Sequence, residues 1–586
     1  MTLQFVLVFV IILSLLILLY TELLSPAISF LSAAFAMVLV GVISIEEMLL
    51  GLSNKQVLVI FLLMVLTTGI QQSLGKGFFY KVFQPQLSAK AFRLRMMLSV
   101  ASISSFLNNT PVVALMLPYV KAWSEEKGLS ASKFLIPLSF ATILGGMITL
   151  VGTSTNLILN GLISNAGLEL LQFQDFLYLG LLVSCLGIAY LYFFSDSLLP
   201  AHEDTKKQLQ NNLQEYLVET EVQIESSLIG KSVEQAGLRH LKDLFLVEIH
   251  RSNQEVLSVV DAEEKIFAGD KLFFAGNPSA ILRLINQKNG LSLPESTHVQ
   301  KNGYFQLTEA VIPSGSSLIG ESLKSSSFRD QFKASVISIY RKGEKVSGNL
   351  GEIQIEAGDL FLLLSKEGKS RFVERKNLLY LSTKGKVENS PSAKELIPAI
   401  LSLILLLMGI FGLIDLFISV SAGIGFMLLF KVLTKELIRK SFDLDLILVL
   451  ISSLAIGLGI QNSGLAEWLI NSLLVYTGDL AIWLNLSVLF LATLLLTSLV
   501  TNVAAVSIMF PFALEMSQYF GFSAIPFFVI IAFAASADFL TPIGYQTNLM
   551  VMGPGNYRIK DYSRIGFPLT TIYACVVLTF VTNYYF

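Results

Sequence analysis

The sequence predicts a polytopic α-helical membrane protein. It reads as two inverted five-helix repeats, each with a re-entrant hairpin and a broken helix, plus an inserted cytoplasmic α/β block of two tandem modules. Three observations carry this expectation. Hydrophobic residues make up 53% of the 586 and charged residues only 14%, against about 25% charged in an average soluble domain. Apolar runs of about 20 residues, enough to span a bilayer as a helix, recur along the chain. Landmarks of the first half return in the second at offsets of 390, 393 and 392 residues: Ile70-Gln71-Gln72-Ser73 as Ile460-Gln461-Asn462-Ser463, Asn109 as Asn502, and Gly152 with Thr155-Asn156 as Gly544 with Thr547-Asn548.

The first membrane repeat is expected over 1–200. Its opening apolar run, 3–24, has no basic residue before it and no small-residue cleavage pattern after it, so it reads as a membrane helix and not a signal peptide. Further spans are expected at about 27–45, 56–75, 134–160 and 175–199, the fourth interrupted at Gly152–Asn156. The stretch 95–120 is apolar but split by Asn108-Asn109-Thr110-Pro111. Each arm is too short to cross comfortably, which predicts a hairpin with its polar tip inside the protein. The second repeat, 393–586, follows the same plan: 396–413, 416–430, 444–463, a hairpin over 482–516, a broken span over 524–552, and 564–585. Five crossings per half is an odd number, which inverts the second half relative to the first.

Charge gives the same topology independently. With the N-terminus outside, the cytoplasmic loops are 76–95, 121–133, 431–442 and 553–565, and they hold 15 Lys and Arg; the outer loops hold only Lys55. This bias satisfies the positive-inside rule. It predicts a cell (inner) membrane protein with both termini outside and the central block in the cytoplasm.

Between Ala201 and Lys394 lie 25 of the 41 Lys and Arg and all four His, and the block reads as a separate soluble unit that contributes nothing to the hairpins or broken helices. It divides into modules at 201–300 and 301–392, because Ser226-Ser227-Leu228-Ile229-Gly230 recurs as Ser316-Ser317-Leu318-Ile319-Gly320, and Ala268-Gly269-Asp270 as Ala357-Gly358-Asp359. Alternating runs such as 243–250 and 335–341 predict short strands. No GxGxxG follows a strand, so a complete dinucleotide-binding unit is not supported. The two cysteines, Cys185 and Cys575, lie in apolar segments and read as packing residues; two cannot build a disulfide framework or a metal cluster.

Polar breaks inside hydrocarbon are costly unless they line a site. A single tip could merely cap a hairpin; two inverted copies, each paired with a second break, favour one site built from two halves. Half-helix N-termini suit an oxyanion, and unwound carbonyls with Asn, Ser and Thr oxygens suit Na⁺. No Lys or Arg lies in the apolar parts of the spans. Dipoles, amides, hydroxyls and bound cations must then hold the anion. Asp538, an isolated acid beside Thr541-Pro542, is a candidate coupling acid; its repeat counterpart is Gly146, so that role is not symmetric.

These motifs resemble the divalent anion:sodium symporter family. Its paired Ser-Asn-Thr tips correspond to Asn108-Asn109-Thr110 and Thr501-Asn502-Val503, and its second breaks to Thr153-Ser154-Thr155-Asn156 and Tyr545-Gln546-Thr547-Asn548. The stretch Asp538–Gly555 particularly resembles the sulfate-transporter-like branch, which carries two modules similar to the C-terminal domain of potassium-transport regulator (RCK) proteins. The resemblance implies an elevator-type homodimer. It places Na⁺ at Ser104, Asn108, Asn109 and Gly152, and again at Thr497, Asn502 and Gly544. It places the anion near Asn108, Asn109, Thr110, Thr155, Thr501, Asn502 and Thr547. Val503 lacks the family's hydroxyl and Asn108 adds an amide, departures compatible with a small tetrahedral anion.

The resulting expectation is Na⁺-coupled symport of a divalent oxyanion, sulfate first, with a dicarboxylate as the alternative. The cytoplasmic modules are expected to regulate it, with a cytosolic nucleotide as a candidate ligand. A ligand-gated ion channel is the rival of a different class, although no repeated filter motif is visible. No nucleophile–base pair points to an enzyme, no cofactor is expected beyond Na⁺ as coupling ion, and no feature points to nucleic acid.

Overall fold

The computed structural model describes residues 3–586 except 22, 83–86, 203–216, 239–240, 242–243, 252–255, 259, 262, 277–283, 285–289, 293–304, 314–315, 327, 333, 342–343, 347–350, 367–377, 381–392, 442–443, 478–480 and 543. The predicted module boundary at 300/301, the start of the second repeat at 392/393, and two of the four His (His240, His298) fall on or beside positions outside the described residues.

The first half contains α1 (Leu3–Thr21), α2 (Pro26–Leu39), α3 (Ile45–Ser53), α4 (Lys55–Val82), α5 (Ala89–Ser104), α6 (Asn109–Glu126), α7 (Leu135–Gly146), α8 (Ser154–Asn165) and α9 (Phe173–Leu198). The central region contributes strands β1 (Leu217–Val222), β2 (Leu244–His250), β3 (Val256–Ser258), β4 (Lys271–Gly276), β5 (Leu291–Ser292), β6 (Phe305–Val311), β7 (Ser335–Arg341), β8 (Glu344–Lys345), β9 (Leu360–Lys366) and β10 (Leu379–Tyr380), with a short helix α10 (Phe328–Phe332). The second half contains α11 (Ala393–Ile410), α12 (Leu416–Leu429), α13 (Lys435–Ser441), α14 (Leu444–Asn462), α15 (Leu465–Thr477), α16 (Ile482–Leu499), α17 (Asn502–Phe520), α18 (Ile525–Ala535), α19 (Gln546–Met552) and α20 (Ile559–Tyr585).

Local chemistry sets several of these boundaries. Ser25 accepts from the Ile28 amide with Pro26 in the first turn, starting α2. A reciprocal Ser44–Glu47 capping box starts α3. The left-handed Gly41 (φ 74°) ends the apolar run that α2 begins. As a result the expected single span 27–45 is a 14-residue helix followed by a separate α3. Its second-half counterpart α12 is equally short, and Lys431 (φ 59°) follows it. Hydropathy alone does not register a turn made of apolar residues, which is why one span was expected. The sequence also missed α15, which continues α14 at a bend of 62°. Among the described residues, five helices are long and apolar enough to cross a membrane, or six if that bent pair is one span.

The helices form two packed groups. In one, α2 and α3 pack on α14, and α11 and α12 pack on each other and on α4. In the other, α5 and α9 pack on α7, α16 and α17 on α18, and α20 on α9 and α18. Helices α8 and α17 join the groups through α4 and α14. One continuous apolar core runs through both.

The central region folds into two five-stranded antiparallel sheets, ordered β3-β2-β4-β1-β5 and β10-β6-β9-β7-β8. The internal repeat is visible in detail. Asp270 accepts from the Phe267 amide at 2.8 Å, and Asp359 from the Glu356 amide at 2.9 Å, in equivalent turns. Each sheet has its own apolar cluster. Three expectations need correction here. The central block is not separate from the site-bearing helices, because Val311 and Leu360 of the second sheet belong to the membrane core. The basic residues of the expected 76–95 and 121–133 loops are not all loop residues: Arg93 lies in α5 and Lys121 in α6, both buried and paired with Asp196 and Glu309. Their charges are satisfied by acids that only folding brings near. Finally, Cys185 and Cys575 are exposed on α9 and α20; an outward face against hydrocarbon can be as apolar as a core.

Candidate functional site

Both halves build the same local arrangement from a helix tip and a glycine in a broken helix. In the first, α5 ends at Ser104 and α6 begins at Asn109, with Asn108 as its cap accepting from Thr110 N at 3.4 Å. The Ser104 hydroxyl donates to Asn109 Oδ1. The break between α7 and α8 approaches from the other side. A Cβ on Gly152 would lie 2.5 Å from the Gly146 carbonyl oxygen and 2.9 Å from that of Ser104. A Cβ on Gly146 would meet Asn109 Oδ1 at 2.7 Å. Glycine is therefore required at both positions for backbone and amide to approach. Oxygens of Ser104, Asn109 and Gly146 converge on this point.

In the second half, α16 ends at Leu499 and Thr501 caps α17, accepting from Ala504 N at 3.3 Å. Thr497 Oγ1 donates to the Ala535 carbonyl at 2.7 Å. One terminal atom of the Asn502 amide lies 2.8 Å from Thr497 Oγ1 and 3.3 Å from the carbonyl oxygens of both Gly544 and Ala535. A Cβ on Gly544 would lie 2.5 Å from the Thr497 carbonyl oxygen and 2.2 Å from Asp538 Oδ2. Beside its break glycine, the carboxylate of Asp538 thus takes the place that the Gly146 carbonyl holds in the first half. Asp538 is fully buried. Thr541 donates to its Oδ1 at 3.4 Å, and Oδ2 has no hydrogen-bond partner among the described residues. An unpartnered buried carboxylate oxygen is expensive unless a cation or proton satisfies it.

The two clusters are connected. Asn109 Nδ2 donates to Tyr545 Oη, next to Gly544, and Thr110 Oγ1 donates to Gln546 Oε1 at 3.1 Å. The first tip is thereby tied to the second break. Tyr545 and Gln546 were not among the expected contact residues. The only sequence signal for them was their place in the polar break beside Thr547. Of the expected set, Ser104, Asn108, Asn109, Thr110 and Gly152 meet in the first cluster, and Thr497, Thr501, Asn502 and Gly544 in the second. Asn108 and Thr501 are exposed at the tips, whereas Asn109 and Asn502 are buried. Thr155 and Thr547 are buried: Thr153 Oγ1 lies 3.4 Å from Thr155 Oγ1, and Ser139 donates to Thr547 at 2.9 Å. Asn548 braces the second break, donating to the Asp538 and Thr541 carbonyls and accepting from Ser139. Among the described residues no group of three metal-ligating His, Cys, Asp or Glu occurs, so any cation here would rest on neutral oxygens and a single acid.

The family model described as citrate transporter matches residues 16–523 and again 403–586. An uncharacterised transporter of Synechocystis sp. is 31% identical over 558 residues, covering 92% of this chain and 90% of its own. A Chlamydomonas reinhardtii protein with the provisional name of a sulfur deprivation response regulator is 29% identical, covering 94% and 97%. Sodium/sulfate cotransporter 1 of the same alga is 25% identical over 383 residues, 63% of this chain and 43% of its own. The matched length includes both tips and both breaks, so this chain belongs to the citrate-transporter family, within the divalent anion:sodium symporters, and is a membrane transporter and not an enzyme.

Proposed function

We propose that this protein is a symporter that carries a divalent oxyanion, sulfate first, together with Na⁺. The observation that carries the reading is the pair of oxygen-lined clusters at repeat-related positions. Each offers the hard, neutral oxygen ligands that Na⁺ takes, with a helix N-terminus beside it for an anion. The first Na⁺ would be held by Ser104, Asn109 and the Gly146–Gly152 carbonyls, the second by Thr497, Asn502, Ala535, Gly544 and Asp538. The anion would sit at the exposed edge of the tips, near Asn108, Thr110 and Thr501, with Gln546 a further contact. The names of relatives that carry sulfate with sodium support this choice. Without a hydroxyl at Val503 a longer dicarboxylate loses a contact, and it remains the second reading within the class.

We further read the two halves as inverted, with re-entrant tips, in the inner membrane. Contacts between residues expected on one side support this. Lys55 pairs with Asp415 at 2.6 Å, and Tyr585 Oη donates to Asp175 at 2.7 Å, all four expected outside. Arg93 pairs with Asp196, and His202 lies 3.4 Å from Asp561, all expected inside. An elevator motion would carry the tip-and-break group past the α2–α4 and α11–α15 group, in a homodimer regulated through the cytoplasmic sheets, where a nucleotide is a candidate ligand.

Uptake of labelled sulfate into proteoliposomes, with a Na⁺ gradient and without one, tests the reading. Asn109→Ala and Asn502→Ala should each abolish uptake while the protein stays folded; normal uptake by either would reduce the tips to structural caps. Better binding of succinate than of sulfate by the wild type would overturn the substrate.

A further inference from the structure

We infer that the second cytoplasmic sheet is a fixed part of the site-bearing group and travels with it, while the first sheet, among the described residues, does not share this attachment. The inference rests on the alternating motion proposed above. Its basis is a difference between two copies of one module.

In the first copy, β1 and β4 place Glu221 opposite Lys271. Lys271 also pairs with Glu219 at 2.8 Å, and its side chain is half exposed. This face is charged and wet. At the equivalent positions of the second copy, β6 and β9 place Val311 opposite Leu360. Both are buried, and both belong to the core of the membrane helices. A solvated charge pair has become an apolar pair, and the apolar pair is covered by protein.

The covering elements are those that form the candidate site. A Cβ on Gly553, which ends α19, would lie 3.0 Å from Leu360 Cβ. A Cβ on Gly358 would lie 2.8 Å from Leu549 of α19. Helix α19 starts at Gln546, the partner of Thr110. The second anchor is electrostatic. Glu219 has its counterpart in Glu309, but the lysine that served it is now Leu360. Glu309 instead pairs with Lys121 of α6, and both side chains are buried, at 0% and 2% exposure. Lys121 lies 12 residues beyond Asn109 on one helix, with Pro118 between them, about 18 Å along the axis. The second sheet thus grips the far ends of both elements whose near ends make the site. A buried pair of this kind resists separation, since losing either partner strands a charge. Anything that shifts this sheet, a ligand or a partner, would move α6 and α19 directly.

The test locks the contact and asks whether transport survives. In a background with Cys185→Ser and Cys575→Ser, Leu360→Cys with Gly553→Cys sets two Cβ atoms 3.0 Å apart, about 0.5 Å inside the usual disulfide separation, at a backbone (φ −61° at residue 553) that cysteine adopts freely. We expect a quantitative cross-link on mild oxidation and an unchanged initial rate of sulfate uptake. Failure to cross-link, or arrest on oxidation that a reductant reverses, would overturn the inference. If the uncross-linked background shows no uptake of any anion tested, the transport reading has failed, and the cross-link yield still reports the contact. In a parallel arm, Val311→Glu with Leu360→Lys restores the charged face of the first copy. It should release the second sheet to limited proteolysis while the first sheet's susceptibility is unchanged; equal protection before and after would also overturn the inference.

Discussion

Asn109 touches three separate parts of the chain through one amide. Its oxygen accepts from Ser104 on α5, its nitrogen donates to Tyr545 in the second break, and Gly146 leaves room for it. The amide is thereby fixed in orientation, as a pre-organised ligand must be. Tyr545→Phe removes the hydroxyl and keeps the ring. The lost bond, about 0.5–1.5 kcal/mol, should raise KM for the anion roughly 2- to 12-fold with protein levels unchanged; uptake kinetics in proteoliposomes would show it, and an unaltered KM would place the contact outside the transport cycle. Asp538 offers the sharper contrast, because beside its break glycine a carboxyl group stands where the first half has the Gly146 carbonyl. Asp538→Asn preserves shape but removes the ionisable group. The Na⁺ concentration for half-maximal uptake should rise at least tenfold, about 1.4 kcal/mol, whereas an unchanged Na⁺ dependence would exclude it as a ligand.

At the scale of elements, close glycine contacts let helices pack where longer side chains would hold them apart. A Cβ on Gly566 of α20 would lie 1.9 Å from the Phe539 carbonyl oxygen, and one on Gly145 of α7 2.3 Å from that of Ala101. Neither obstacle is a movable side chain. Gly566→Ala and Gly145→Ala should each lower stability by about 1–3 kcal/mol, visible as a lower melting temperature in detergent. Gly425 has open space around it, and Gly425→Ala should be neutral or slightly stabilising through helix propensity. Equal effects at all three positions would mean that the approach distances do not govern packing.

At the scale of the whole molecule, two halves and two sheets are each duplicated, and each pair has diverged where it matters. The halves differ at Asp538 against Gly146, and the sheets at Val311–Leu360 against Glu221–Lys271. The inverted arrangement proposed above makes a direct prediction. Cysteines at Lys55 and Glu467 should react with an impermeant reagent from outside, and cysteines at Lys90 and Lys440 only from inside; opposite accessibility of Lys90 and Lys440 would break the inversion.

Much of this was legible in the residues themselves. Hydropathy and charge bias are properties of composition along the chain, so the membrane class and the positions of most helices followed from them. The offsets near 392 identified Asn109 with Asn502 and Gly152 with Gly544, since a duplicated polar break is conspicuous against an apolar background. The sequence could not register the short turn at Gly41, because the residues around it are apolar on both sides. Nor could it register which break faces which tip. That Asn109 meets Tyr545, 436 residues away, and that Glu309 finds Lys121 across 188, are matters of three-dimensional packing. A buried charge must be paired, but the chain does not say with what; the fold makes that choice by bringing one lysine and one glutamate into the same dry space.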